Sequence, residues 1–249
     1  MKNTSYELLC IGTALVDSAI RGFDPVPVSS AGYRAESGVL NAGGEAVNVS
    51  VTAAKLGLRT GIFCHLGQDT AGDIVPAALT KAGVDISPVI RTAEHATPVT
   101  TMFVREDGSR QSITNNAHSY NFHPEEHLAG LLPAGAASIG SLGRAPFNDP
   151  DVVRQVIRSL SAGGSLILAD MKLPNFRKLA LGEIADVLPL VDYIFPNEDE
   201  AAYYSGCVDP DEMAEAFLSR GVKNVIIKLG EKGCLFKNAR ERIRLEIGR

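Results

Sequence analysis

The sequence predicts an α/β fold whose mostly parallel sheet is covered by helices on both faces. Two observations carry that expectation. From Asp149 onward, helix-length segments alternate with the runs SLILAD, DYIFPN and NVIIKLG, which are apolar at consecutive positions rather than at every second one. A strand apolar on both sides needs cover on both sides, and helices between strands provide it. Polar residues also gather where these runs end: Asp170 and Lys172 after the first, Asn197 and Glu200 after the second, Lys228 after the third. Ligands of open α/β sheets sit at the carboxyl ends of the strands.

Taken in order, Tyr6 to Gly12 is an apolar run ending in glycine, expected to be a buried strand, with Asp17 shortly after it. A carboxylate can accept from two adjacent hydroxyls, which suits a polyol, although a turn or cap residue would look the same. Phe23 to Asn41, with Pro25, Pro27, Gly32 and Gly38, reads as irregular or as short edge strands. Asn41 to Asp73 opens on Gly43-Gly44 and continues as an apolar-periodic helix to Gly57. A short strand then leads to a second glycine-rich turn, Gly67 to Gly72. Glycines before a helix let a ligand approach the backbone, or simply make a tight turn.

Thr97 to Asn115 reads as a hairpin, TPVTTMFV and QSIT joined by the turn Arg105 to Arg110. His123 and His127, four apart, would share a helix face, but the order is not HExxH, and Pro124 with two glutamates suits a plain first turn. Asp149-Pro150 opens a helix that ends at Gly163-Gly164, Asn175 to Leu188 is expected to be helical, and Asp209-Pro210 opens a helix stopped by Gly221. Strands are expected at Asn224 to Leu229 and Gly233 to Lys237. The closing ARERIRLEIGR alternates, placing Ile243, Leu245 and Ile247 on one face.

With 249 residues and 45% hydrophobic content, the chain can build one large domain or two small ones. Its net charge of -5 argues against a broad basic face for nucleic acid. No apolar run is long enough to cross a bilayer, and no signal-like start is seen. The cysteines Cys10, Cys64, Cys207 and Cys234 form no CxxC pair. A reducing cytoplasm and no membrane partner are the expectation.

The pattern GGxxxNxxxxxxxLG followed by GxDxxG, carried by Gly43, Gly44, Asn48, Gly57, Gly67, Asp69 and Gly72, resembles the first signature of the PfkB, or ribokinase-like, carbohydrate kinases. The resemblance runs from Asp17 to Cys234. It implies a single ribokinase-like domain over 1–249, with a small β lid from about 13–41 and 97–115 closing over a sugar. It further implies that Asp17, Gly43, Gly44 and Asn48 bind the sugar, with Asp170 nearby. Lys172, Asn197, Glu200, Lys228, Gly230 and Gly233 would border ATP, and Glu200 would act on Mg2+ through water. Each has a plainer reading too: Asn197 and Glu200 are spaced as a capping box, and Gly230-x-x-Gly233 suits any hairpin. The lid often forms an oligomer contact in this family, so a homo-oligomer is expected.

The family's second signature, DTxGAGD, supplies an anion hole and the base that deprotonates the sugar hydroxyl, and it does not occur in these residues. The domain is therefore expected to be incomplete at its C-terminal end and a poor catalyst by itself. Ile226, Leu235, Ile243, Leu245 and Ile247 are expected on a poorly covered surface. The implied activity is transfer of the ATP γ-phosphate to a small sugar or sugar acid. A nucleoside kinase, a non-catalytic sugar-binding or regulatory module, and a truncated gene product are the alternatives.

Overall fold

The computed structural model describes residues 5–21, 34–115, 122–131, 133–175 and 177–247. Pro25, Pro27 and Gly32 lie outside them. The strands are β1 (Tyr6–Ile11), β2 (Leu15–Arg21), β3 (Ser37–Gly43), β4 (Thr60–Phe63), β5 (His65–Gly67), β6 (Ile90–Thr92), β7 (Val99–Val104), β8 (Arg110–Thr114), β9 (Ala134–Leu142), β10 (Leu166–Met171), β11 (Tyr193–Ile194), β12 (Asn224–Lys228), β13 (Cys234–Asn238) and β14 (Arg242–Leu245). The α-helices are α1 (Glu45–Lys55), α2 (Thr70–Lys81), α3 (Pro150–Ala162), α4 (Glu198–Ser205) and α5 (Pro210–Leu218).

One sheet of eight strands runs in the order β14-β13-β12-β11-β10-β9-β1-β4. It is parallel except at β12-β13 and β13-β14. Residues of β1 alternate between two cores: Leu9 and Ile11 join the core that holds residues of α3, α4 and α5, while Leu8 and Cys10 join the one beneath α1 and α2. A second sheet, β3-β2-β7-β8, is the small β layer expected from 13–41 and 97–115. Asp17 pairs with Asn41 inside it, so it is a strand residue and not a turn or cap. Among the described residues no helix is long and apolar enough to cross a membrane.

Two expectations need correction. The stretch from Asn175 to Leu188 is not an α-helix; it holds the 3-10 turn Leu181–Ile184, with another at Leu188–Leu190. Pro189 follows directly, and the backbone N–H of Ala180 is taken by the Glu183 carboxylate at 2.8 Å. Leu181, Ile184, Val187 and Leu188 all enter the core at spacings that a helical stripe also gives, so the run reads as helical although short 3-10 turns carry it. At the C-terminal end, Leu235 is 1% exposed and Ile226 only partly exposed, whereas Ile243, Leu245 and Ile247 are 44%, 58% and 62% exposed. Leu235 is covered because it points to the α5 side of the sheet, where Val225 and Ile227 also lie buried.

Candidate functional site

The site begins where β2, β3 and α1 meet. A Cβ on Gly43 would lie 2.1 Å from Asp17 Oδ2, and one on Gly44 would lie 2.3 Å from the carbonyl oxygen of Thr13. Gly44 also holds φ at +96°, a conformation that favours glycine. No side chain caps α1 at Gly44, so its first-turn N–H groups are left without the usual partner. Gly44 and Glu45 line a cavity of about 280 Å3 together with the hydroxyls of Thr13, Thr100, Thr114 and Ser141. Burial raises the Asp17 carboxyl above its ordinary range, with Arg110 opposing.

Across the cavity, β9 ends in a tight turn. Ser141 takes a positive φ of 61° and donates its hydroxyl to Glu45 Oε2 at 2.6 Å. Glu45 is pushed up to about 8, first by burial and then by the neighbouring Asp170; Ser141 and Lys172 pull the other way. Asp170, near the end of β10, accepts from Lys228 Nζ through Oδ1, while its buried Oδ2 has no hydrogen-bond partner of its own. Glu45, when protonated, is the neighbour that can donate to that oxygen. Lys172 Nζ stands 3.9 Å from Asp170 Oδ2 and 3.6 Å from Glu200 Oε1.

Asn197 and Glu200 form a reciprocal capping box on α4, with both bonds at 2.8 Å. Glu200 is 3% exposed, and Oε2 is committed to the Asn197 N–H, which leaves Oε1 toward Lys172. Lys228 follows on β12, bridged to Asn197. The fold thus brings Asp170, Lys172, Asn197, Glu200 and Lys228 together.

The remaining candidates have other surroundings. Asn48 is exposed and lines a separate groove between α1 and α2, with Val51, Thr52, Lys55 and Lys81. It lies on the α1 stripe Asn48, Val51, Thr52 and Lys55, which turns toward α2 rather than into the cavity. Gly233, with φ +85°, is required because a Cβ would stand 1.8 Å from the Leu245 carbonyl oxygen; Gly230, with φ +60°, faces open space. These glycines make the turn between β12 and β13, as a plain hairpin would. Asp69 accepts from Gly72 N at 2.7 Å and Thr97 N at 2.8 Å, which ties the start of α2 to the base of β7. His123 and His127 diverge because Pro124–Glu126 is a 3-10 turn: His123 Nδ1 meets Glu125 Oε1 at 3.0 Å, and His127 packs against Phe63. The ligand atoms of His123, Glu125 and Glu126 lie within 4.8 Å of one another.

Sequence reasoning missed Thr13, Thr100, Thr114, Ser141 and Arg144 as cavity residues. The signal for the last two was the Gly-Ser-Leu-Gly-Arg stretch, whose glycines mark the turn; without β9 recognised as a strand, nothing pointed it at the site.

Comparison with known proteins places the chain among kinases. Over 213 residues the chain is 27% identical to 2-dehydro-3-deoxygluconokinase of Bacillus subtilis, covering 76% of this chain and 61% of that protein. It is also 27% identical over 205 residues to the ribokinase of Staphylococcus aureus, covering 78% and 63%. The chain thus spans about three fifths of the length of these curated relatives. Its fold is similar to Arabidopsis thaliana ribokinase complexed with ribose and ATP, at TM-score 0.76 and 22% identity, covering 98% of this chain and 78% of that one. Residues 7–247 match the sequence model of the pfkB family carbohydrate kinases, with a ribokinase-like fold throughout, and the chain belongs to that family.

Proposed function

We propose that this chain carries the sugar- and nucleotide-binding parts of an ATP-dependent kinase that transfers the γ-phosphate to a hydroxyl of a small sugar or sugar acid. The observation that carries this reading is Lys172. It lines the hydroxyl-rich cavity and also stands at the cluster of Asp170 and Glu200, so the two compartments are contiguous. Thr13, Thr100, Thr114 and Ser141 offer donors and acceptors to a polyol, and Asp17 offers acceptors beside Gly43. Asn48 is at most an outer contact in this arrangement, because it lines the groove between α1 and α2.

On the other side, Lys172 and Lys228 are cations for phosphate oxygens, and Asn197, Gly230 and Gly233 would border the nucleotide. Asp170 and Glu200 supply hard oxygen donors, the kind Mg2+ takes, and the buried, half-committed Glu200 suits contact through water. Bound Mg2+ would offset charge on the phosphates. The small β layer, with Val39, Leu40 and Ile113 exposed, would serve as lid and as contact between copies in a homo-oligomer. Such a lid excludes the water that competes with the sugar hydroxyl. A reducing cytoplasm fits the free cysteines. Without DTxGAGD, these 249 residues bind but turn over slowly.

Thermal protection by a panel of pentoses, hexoses and sugar acids, with and without MgATP, tests the reading. At least one sugar should protect, and Asp17→Ala should weaken it. Protection by no sugar or acid, or by one that is indifferent to Asp17→Ala, would overturn the assignment.

A further inference from the structure

Arg144 is a charged residue of the cavity that the kinase reading leaves without a task. It sits on the turn that closes β9, where its backbone N–H bonds to the Ser141 carbonyl at 2.9 Å. The turn is tight by construction: Ser141 and Gly143 both hold positive φ, and a Cβ on Gly143 would lie 2.0 Å from the Tyr204 hydroxyl oxygen. The Arg144 Nε donates to the Leu173 carbonyl at 2.9 Å, which anchors the guanidinium at one edge. The side chain lines the cavity. Among the described residues, no carboxylate lies within ion-pair distance of Arg144, whereas Lys172, the other cation there, stands near Asp170 and Glu200.

An anchored guanidinium with a free edge is shaped for a planar anion, because it can give two parallel N–H bonds to one carboxylate. We propose that Arg144 is a specificity-determining residue that reads the carboxylate of a sugar acid, so that the substrate class is an acidic sugar rather than a neutral one. This rests on the reading of the cavity as the sugar site. The hydrogen bond from Ser141 to Glu45 Oε2 at 2.6 Å ties that carboxyl to the turn that carries Arg144. The cavity then presents Arg144 and several hydroxyls, which match a carboxylate and a polyol chain.

The test compares 2-dehydro-3-deoxygluconate and gluconate with ribose and fructose by calorimetric titration of the full chain. The expected result is that an acid binds at least about tenfold more tightly than either neutral sugar. Arg144→Gln should weaken the acid by about 10- to 100-fold and leave neutral-sugar affinity unchanged, a range typical of hydrogen bonds to a charged group. Arg144→Lys should recover part of the loss, which separates charge recognition from a structural role. Equal binding of acids and neutral sugars, or equal weakening of both by Arg144→Gln, would overturn the proposal while the sugar site stands. A variant that loses only MgATP affinity would assign Arg144 to phosphate and overturn it as well. Binding of neither class would overturn the sugar-site reading and this proposal together.

Discussion

Two regions of the eight-stranded sheet, β1 beside the β4 edge and β12 to β14 at the other edge, are built from similar residues and covered differently. At β1, both faces are covered: Leu9 and Ile11 pack in one core, Leu8 and Cys10 in the other, and all four are at most 7% exposed. At β12 to β14, only the α5 side is covered. Val225, Ile227 and Leu235 are buried there, while the opposite row, Ile226, Phe236 and Ile243 in register, is partly or largely exposed. On β14 the polarity is inverted as well. Arg242 faces α5 and forms a two-pronged pair with Asp211 at 2.7 Å, while Ile243 faces the open side. The cavity thus sits on the covered part of the sheet, and the charged cluster beside it reaches the half-covered part through Lys228.

The largest expected effect sharpens this contrast in catalysis. If the cavity end is complete and the other end lacks the base and anion hole, these residues should bind sugar yet transfer phosphate far more slowly than the usual range of roughly 1 to 1,000 per second. A missing general base alone costs about 100- to 10,000-fold. Coupled ADP release across the sugar panel measures it. Sugar-dependent turnover within the ordinary range would show that another carboxylate serves as base, with Asp170 the first to examine.

The next effect belongs to the proton that Glu45 holds beside Asp170. Glu45 keeps its proton in the folded chain up to about 8, whereas a free glutamate loses it near 4.5. Between those values the folded chain binds a proton that the unfolded chain has released, so stability falls as pH rises from about 4.5 to about 8 and levels off above. The limiting slope is about 1.4 kcal/mol per pH unit. His65, held low by burial and by His95, works in the opposite sense as pH falls below its ordinary 6.5. Glu45→Gln can still accept from Ser141 and donate to Asp170, but it does not titrate. Urea denaturation at several pH values should show a decline from 4.5 to 8 for the native chain and a flatter line for the variant. Parallel lines would mean that Glu45 does not hold its proton in the folded chain.

How much of this was legible in the sequence follows a physical rule. Asp69, Gly67 and Gly72 were readable because a motif built on close backbone contact constrains residue type at each position. The strands beginning at Tyr6, Leu166 and Asn224 were readable from their apolar runs. Strand β9 was not: AGAASIGSL is rich in alanine and glycine, with little intrinsic strand preference, and it becomes a strand because β1 and β10 pair with it on either side. Losing β9 hid Ser141 and Arg144 from the site. Asn48 was legible as a motif residue, but its orientation on α1 is set by packing against α2. Leu235 was misplaced because cover depends on which face a strand residue takes.

That difference in placement predicts two unequal mutants at the cavity end. Asp17 contributes acceptors beside Gly43, so Asp17→Ala should weaken sugar binding by about 1.5 to 3 kcal/mol, the usual range for a hydrogen bond to a charged group. Asn48→Ala should change it by less than about 0.5 kcal/mol, as for an exposed residue away from the ligand. Isothermal titration with the best sugar of the panel compares them. A larger loss from Asn48→Ala than from Asp17→Ala would place the sugar nearer α2 than the cavity allows.

The smallest effect on stability tests the bare face directly. Exposed apolar area costs about 25 cal/mol per Å2 relative to burial, so a row such as Ile226, Phe236 and Ile243 favours any contact that covers it, including a second copy of the chain. The native chain should therefore bind ANS and show a molar mass that rises with concentration in light scattering. Ile243 is 44% exposed, so Ile243→Lys should lose little folding free energy, within about 0.5 kcal/mol, yet reduce both signals. The same change in the covered region has the opposite balance: Leu8→Lys buries an unpaired ammonium at a position only 7% exposed and should unfold the chain. If Ile243→Lys destabilised the chain as Leu8→Lys does, with no change in ANS binding or mass, the β14 row would be an integral part of the core, and the contrast between the two regions of the sheet would collapse.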